Sequence, residues 1–134
     1  LPAVIAASNA SAPERLPADA RARLLVGLST HTLEQVRESR ARPVDYIAFG
    51  PVFGTASKTS EYAPRGLESL REAVALAGRP LVAIGGISAA NAPDVRACGA
   101  VAAALISAIA DASDPAEATR YLGSLLLGSP PGRS

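Results

Sequence analysis

Apolar residues in this chain come in short, nearly unbroken runs: LLVGLS at 24–29, VDYIAFG at 44–50, LVAIGG at 81–86 and VAAALIS at 101–107. Between them lie segments with helical patterning: THTLEQVRESRA at 30–41, LESLREAVALA at 67–77, SAANAPDVRACG at 88–99, and a last stretch through about Leu127. A strand with one wet face alternates apolar and polar residues, whereas a strand covered on both faces is apolar throughout. The runs therefore predict parallel strands covered on both sides, alternating with helices, the α/β class. Strand starts recur about every twenty residues, a βα spacing, except where the segment from 51 to 66 inserts.

Helix punctuation agrees. Thr32 and Gln35 fit a capping box, with Leu33 and Val36 as the apolar stripe and Arg37, Glu38 and Arg40 outside it. Ser88 is placed to cap the helix that follows Gly85 and Gly86, and Asp114-Pro115 with Glu117 is a strong start for the final helix.

Four βα units in succession are half of an eightfold barrel, and four strands alone leave two bare parallel edges. The first 22 residues include AVIAAS, which reads as the remnant of one more unit. The expected organisation is thus a remnant over 1–22, the C-terminal half of a (β/α)8 TIM barrel over 23–127 with about four to five βα units, and a frayed tail over 128–134. The apolar N-terminus has neither a basic flank nor a Met and reads as the end of something longer rather than a signal peptide. Such a half-barrel is expected to be a fragment, a homo-oligomer or partnered half, or a truncated relative.

Composition narrows the function classes. The 134 residues suit one domain, and 49 % apolar with 4 % aromatic residues fits closely packed α/β layers. Basic and acidic residues number 13 and 12 with no run of either sign, which argues against a nucleic-acid partner. The single cysteine, Cys98, sits in an apolar stretch and is expected to be buried; it excludes an internal disulfide and Cys-rich zinc patterns. No run approaches the roughly 18 apolar residues of a membrane span, and the default compartment is the cytoplasm.

The chemistry is expected at the carboxyl ends of the strands, where barrels gather their functional groups. Those ends read Ser29-Thr30-His31, Gly50-Pro51-Val52-Phe53, Gly85-Gly86-Ile87 and Ile106-Ser107. Two successive glycines bring backbone close to a ligand, and a following helix N-terminus offers N–H groups to an anion. Ile106-Ser107 repeats this with a hydroxyl added, so a phosphate is expected between the two turns. Lys58 is the chain's only lysine, set among Thr55, Ser57 and Thr59 in a loop; a flexible ammonium there suits a phosphate or diphosphate. His31, the only histidine, is a candidate proton shuttle, since imidazole titrates near neutrality. Ser29 is a candidate ligand contact, and Arg65-Gly66 a candidate closure of the Lys58 loop. Asp45 begins a strand at the opposite end and is expected to be structural.

With these residues in place, the sequence resembles the thiamine-phosphate synthase family and its thiazole tautomerase branch. The matching stretches are GLSTHTLEQV, VDYIAFGPVFGTASKT, RGLESLREAV, RPLVAIGGISAANAPDVRACGA and ALISAI, in the family's order and spacing. The resemblance implies a βα barrel that joins hydroxymethylpyrimidine diphosphate to thiazole phosphate with release of pyrophosphate. By the same resemblance, Gly86, Ile106 and Ser107 hold the thiazole phosphate, Thr55 and Ser57 contact the thiazole substrate, and Lys58 and Ser29 hold the departing pyrophosphate. In the tautomerase branch the residue matching His31 moves protons on the thiazole ring. The family's Mg²⁺ ligands and pyrimidine-binding residues have no counterpart: Glu14 and Arg15 stand where a metal-binding Asp is expected, and Gly54 occupies a position that is often Pro. The functional readings are therefore a synthase lacking its pyrimidine and metal half, a tautomerase using His31, or a non-catalytic phosphate-binding half-barrel.

Overall fold

A computed structural model of the protein describes residues 3–7, 17–54 and 63–128. Five strands, β1 (Ala3–Ala7), β2 (Leu24–Thr30), β3 (Tyr46–Phe49), β4 (Leu81–Ile84) and β5 (Ala102–Ala104), form one parallel sheet in the order β1-β2-β3-β4-β5. Helices follow them in turn: α1 (Ala18–Arg23), α2 (Leu33–Ser39), α3 (Gly66–Ala77), α4 (Ala92–Ala97), α5 (Ser107–Ala110) and α6 (Pro115–Leu127). Sequential order in an all-parallel sheet is the topology of half a (β/α)8 barrel, with each strand placed beside the next by its crossover helix.

Strand register separates the sheet's two faces. Val26, Leu28, Ile47, Phe49, Leu81 and Ala83 point to one face and are buried against Val36, Leu70, Ala73, Ala77, Val95 and Leu122 from the helices. On the other face stand Leu25, Gly27, Ser29, Tyr46, Ala48, Val82 and Ile84. Leu25 is 41 % exposed and Ile84 39 %, so among the described residues this face is only partly covered. The expectation of cover on both sides is thus corrected: an apolar run cannot distinguish a strand packed between helix layers from one whose second face lines a barrel interior.

Local signals explain most element ends. Thr32 caps α2 by accepting the Gln35 N–H through Oγ1 (3.1 Å), while Gln35 Oε1 accepts the His31 N–H (2.7 Å). Asp114 caps α6 through the Glu117 N–H, with Pro115 in the first turn. Two helix and strand limits depart from the sequence pattern. The helix expected from Ser88 begins only at Ala92, because a turn over 89–91 intervenes and Pro93 suits a first-turn position. The run at 101–107 yields only the three residues of β5, after which Ile106 turns the chain (φ −123°, ψ −78°) into the short α5.

Two polar clasps hold the amino end of the sheet. Asp45 Oδ2 accepts the Val26 N–H at 2.7 Å while the Asp45 N–H donates to the Val26 carbonyl, so one residue grips β2 from both sides. Arg79 donates from Nη1 to the carbonyls of Arg42 (3.0 Å) and Val44 (2.5 Å), and from Nη2 to Arg40 (3.1 Å). It thereby satisfies carbonyls left open where α2 ends and β3 begins. Cys98 is buried, as expected.

Candidate functional site at the carboxyl ends of the strands

Parallel strands bring their carboxyl ends to one edge of the sheet, and backbone contacts join the turns that follow them. Gly50 donates its N–H to the Thr30 carbonyl at 3.3 Å, and its own carbonyl lies 2.9 Å from His31 Nδ1. A carbonyl can only accept, so Nδ1 carries a proton toward it. Past the cis peptide between Gly50 and Pro51, the Val52 N–H donates to the Ile84 carbonyl (2.9 Å) and the Phe53 N–H to the Gly85 carbonyl (3.0 Å).

The two glycines are required by space and by backbone angle. Gly85 and Gly86 have φ of 104° and 66°, where a side chain is strained. A Cβ on Gly86 would lie 2.3 Å from the Gly54 carbonyl oxygen, and one on Gly85 would lie 2.6 Å from Pro51 Cα. The turn after β4 therefore packs backbone to backbone against the loop after β3. Asn91 closes its other side: Nδ2 donates to the Gly86 carbonyl at 3.0 Å, and Oδ1 accepts the Ser88 N–H at 2.9 Å.

The loop that includes Lys58 is stitched at its base. The Arg65 N–H donates to the Pro51 carbonyl and the Gly66 N–H to the Val52 carbonyl, each at 2.8 Å. Thr55, Ser57 and Lys58 themselves lie outside the described residues, as do Glu14 and Arg15.

The remaining candidates fall as follows. Ser29 is half-buried on the sheet face that also bears Gly27, Tyr46 and Ala48. Ile84 is in register with Ala104, so Gly86 and Ile106 each stand two residues beyond paired positions on adjacent strands. Ile106 is 62 % exposed and Ser107 opens α5. The helix N-terminus expected directly behind the glycines is not there, since α4 starts at Ala92, six residues after Gly86. Asn91 is a residue of this turn that the strand-end pattern does not single out. Its signal was an Asn three residues after Ser88 and two before Pro93, an arrangement that suits a side chain bonding nearby backbone.

The described residues do not fit a Mg²⁺ site. No three His, Cys, Asp or Glu side chains come together among them. Asp45 is committed to a backbone N–H at the opposite end of the sheet, Asp114 to its helix cap, and Asp19 to an exposed pair with Arg23. Among the described residues no helix is long and apolar enough to cross a membrane.

Comparison with known proteins gives a consistent family. The thiamine monophosphate synthase family matches residues 10–109. A thiamine-phosphate synthase of Synechococcus sp. (strain CC9605) is 45 % identical over 98 residues, covering 73 % of this chain and 28 % of its own length. One from Albidiferax ferrireducens is 43 % identical over 103 residues, covering 77 % of this chain and 47 % of its own. Among solved structures, the thiamine phosphate pyrophosphorylase of Pyrococcus furiosus superposes with a TM-score of 0.77 at 32 % identity, over 90 % of this chain and 57 % of that one. The chain thus spans about half, or less, of the length of the curated relatives it matches.

Proposed function

The chain belongs to the thiamine monophosphate synthase family, and from that membership we propose that it carries the thiazole-phosphate half of a synthase site in thiamine biosynthesis. The reaction is a transfer: the bond between the pyrimidine's methylene carbon and the diphosphate oxygen breaks, its electron pair leaves with pyrophosphate, and the thiazole nitrogen captures the resulting cation. Such a reaction calls for donors that stabilise the leaving group more than for an acid or base.

The observation that carries this reading is the meeting of the Gly85-Gly86 turn with the root of the Lys58 loop through the Phe53 to Gly85 hydrogen bond of 3.0 Å. In the proposed arrangement, Gly86, Ile106 and Ser107 hold the thiazole phosphate, with Gly85 letting the turn approach it. Thr55 and Ser57 contact the thiazole, and Lys58 with Ser29 takes the departing pyrophosphate. Residues 23–127 form this unit, 1–22 precede it as part of another, and the reaction belongs to the cytoplasm. A second copy or a partner completing the barrel would cover the face that bears Leu25 and Ile84.

The test is thermal unfolding of the purified chain with thiazole phosphate, then with hydroxymethylpyrimidine diphosphate and Mg²⁺ added. A ligand that binds only the folded state raises its stability. A rise with thiazole phosphate, and pyrophosphate release once the second substrate is present, is the expected result. No rise with thiazole phosphate would overturn the half-site, and a rise without turnover would mark a phosphate-binding module.

A second reading has a specific observation behind it. Gly50 accepts from His31 Nδ1 at 2.9 Å, which fixes the orientation of the imidazole at the carboxyl ends of the strands, where a residue moving protons on the thiazole ring would stand. Proton exchange on the thiazole ring, lost in a His31 variant, would favour it.

A further inference from the structure

We infer that Asn91 is a positioning residue that aims the peptide N–H groups of Gly86 and Ile87 at the bound phosphate; this deepens the phosphate half-site proposed above and rests on it. Within one trans peptide unit the carbonyl and the N–H point in opposite directions. The Gly85 carbonyl is drawn toward the loop after β3 by the Phe53 N–H at 3.0 Å, so the Gly86 N–H of the same unit faces away from that loop. The Gly86 carbonyl is drawn to Asn91 Nδ2 at 3.0 Å, so the Ile87 N–H faces away from Asn91. Neither N–H has an acceptor among the described residues.

Two consecutive N–H groups beside glycines of positive φ, with no acceptor among the described residues, offer two donors to an anionic oxygen. Gly85 and Gly86 have the widest backbone freedom of any residue, so something must choose one conformation for them. The Phe53 amide fixes the first peptide unit and the Asn91 side chain fixes the second. The amide's orientation follows from its partners: Ser88 N–H can only donate, so Oδ1 faces it at 2.9 Å and Nδ2 faces the Gly86 carbonyl. One side chain thus spans both sides of the turn. This explains why the donors are preset although α4 begins only at Ala92.

The test uses the ¹⁵N-labelled chain titrated with inorganic phosphate, comparing the wild type with Asn91→Ala and Asn91→Asp. The Asp variant keeps an acceptor for the Ser88 N–H but cannot donate to Gly86, so it remains informative if the Ala variant folds poorly. The expected result is that the Gly86 and Ile87 amide resonances move with phosphate in the wild type. Phosphate affinity should fall about tenfold in both variants, the loss of one hydrogen bond's worth of preorganisation, while the remaining spectrum is preserved. Unchanged phosphate affinity in the variants would overturn the role of Asn91 and leave the phosphate reading standing. Resonance changes throughout the spectrum of the Asp variant would overturn it too, making Asn91 a folding residue. Immobile Gly86 and Ile87 amides in the wild type would overturn the phosphate reading and this inference together.

Discussion

Gly86 has a φ of 66° and room for no carbon beyond its own, because the Gly54 carbonyl would lie 2.3 Å from a Cβ. Gly86→Ala therefore meets backbone strain of about 1–2 kcal/mol before any clash is relieved. We expect a loss of about 2 kcal/mol or more in denaturant unfolding, together with loss of the stabilisation by thiazole phosphate that the proposed half-site requires. His31 separates the two chemical readings. His31→Asn is expected to abolish thiazole tautomerisation, measured as proton exchange, and to spare coupling, measured as pyrophosphate release; equal loss of both would leave the ring with only a structural role. These residue-scale features were partly legible. The Gly-Gly pair and the lone histidine stand out in the sequence, but the Asn91 bridge does not, since the three-dimensional turn that joins 86, 88 and 91 has no fixed sequence period.

At the scale of elements, the amino end of the sheet is joined by side chains that reach across strands. Asp45 accepts the Val26 N–H at 2.7 Å and returns a backbone bond to the same residue. Asp45→Ala leaves the N–H of the buried Val26 without its acceptor, and we expect it to cost about 1–3 kcal/mol in denaturant unfolding. Asp45→Asn, which retains an accepting oxygen, should recover part of that. Helix starts are legible at Thr32 and Asp114, because the side chain and the N–H it satisfies lie three residues apart, whereas the local signal at Ser88 starts no helix before Ala92. β5 is shorter than its apolar run. Its alanines and the following Leu105 and Ile106 form one apolar run in sequence, yet pairing stops at Ala104, two residues before the backbone turns at Ile106.

For the whole molecule, the two faces of one sheet differ in what they contribute to stability. Ile47 is fully buried beneath the helices, and Ile47→Ala should cost about 2–5 kcal/mol. Ile84, 39 % exposed on the opposite face, should lose about 1 kcal/mol or less on the same truncation, measured by the same unfolding. If both cost alike in the isolated chain, a second surface already covers Ile84. The stitched base of the Lys58 loop has a consequence of a different kind. Pro51 and Val52 are bonded directly to Arg65 and Gly66, so the chain between them begins and ends at a fixed gate. Residues can be added, removed or exchanged within that gate while β3 and α3 keep their places, since lengthening a closed loop adds little entropy. The segment is in effect a cassette: its contents can be rewritten while the turn after β4 beside it remains as built.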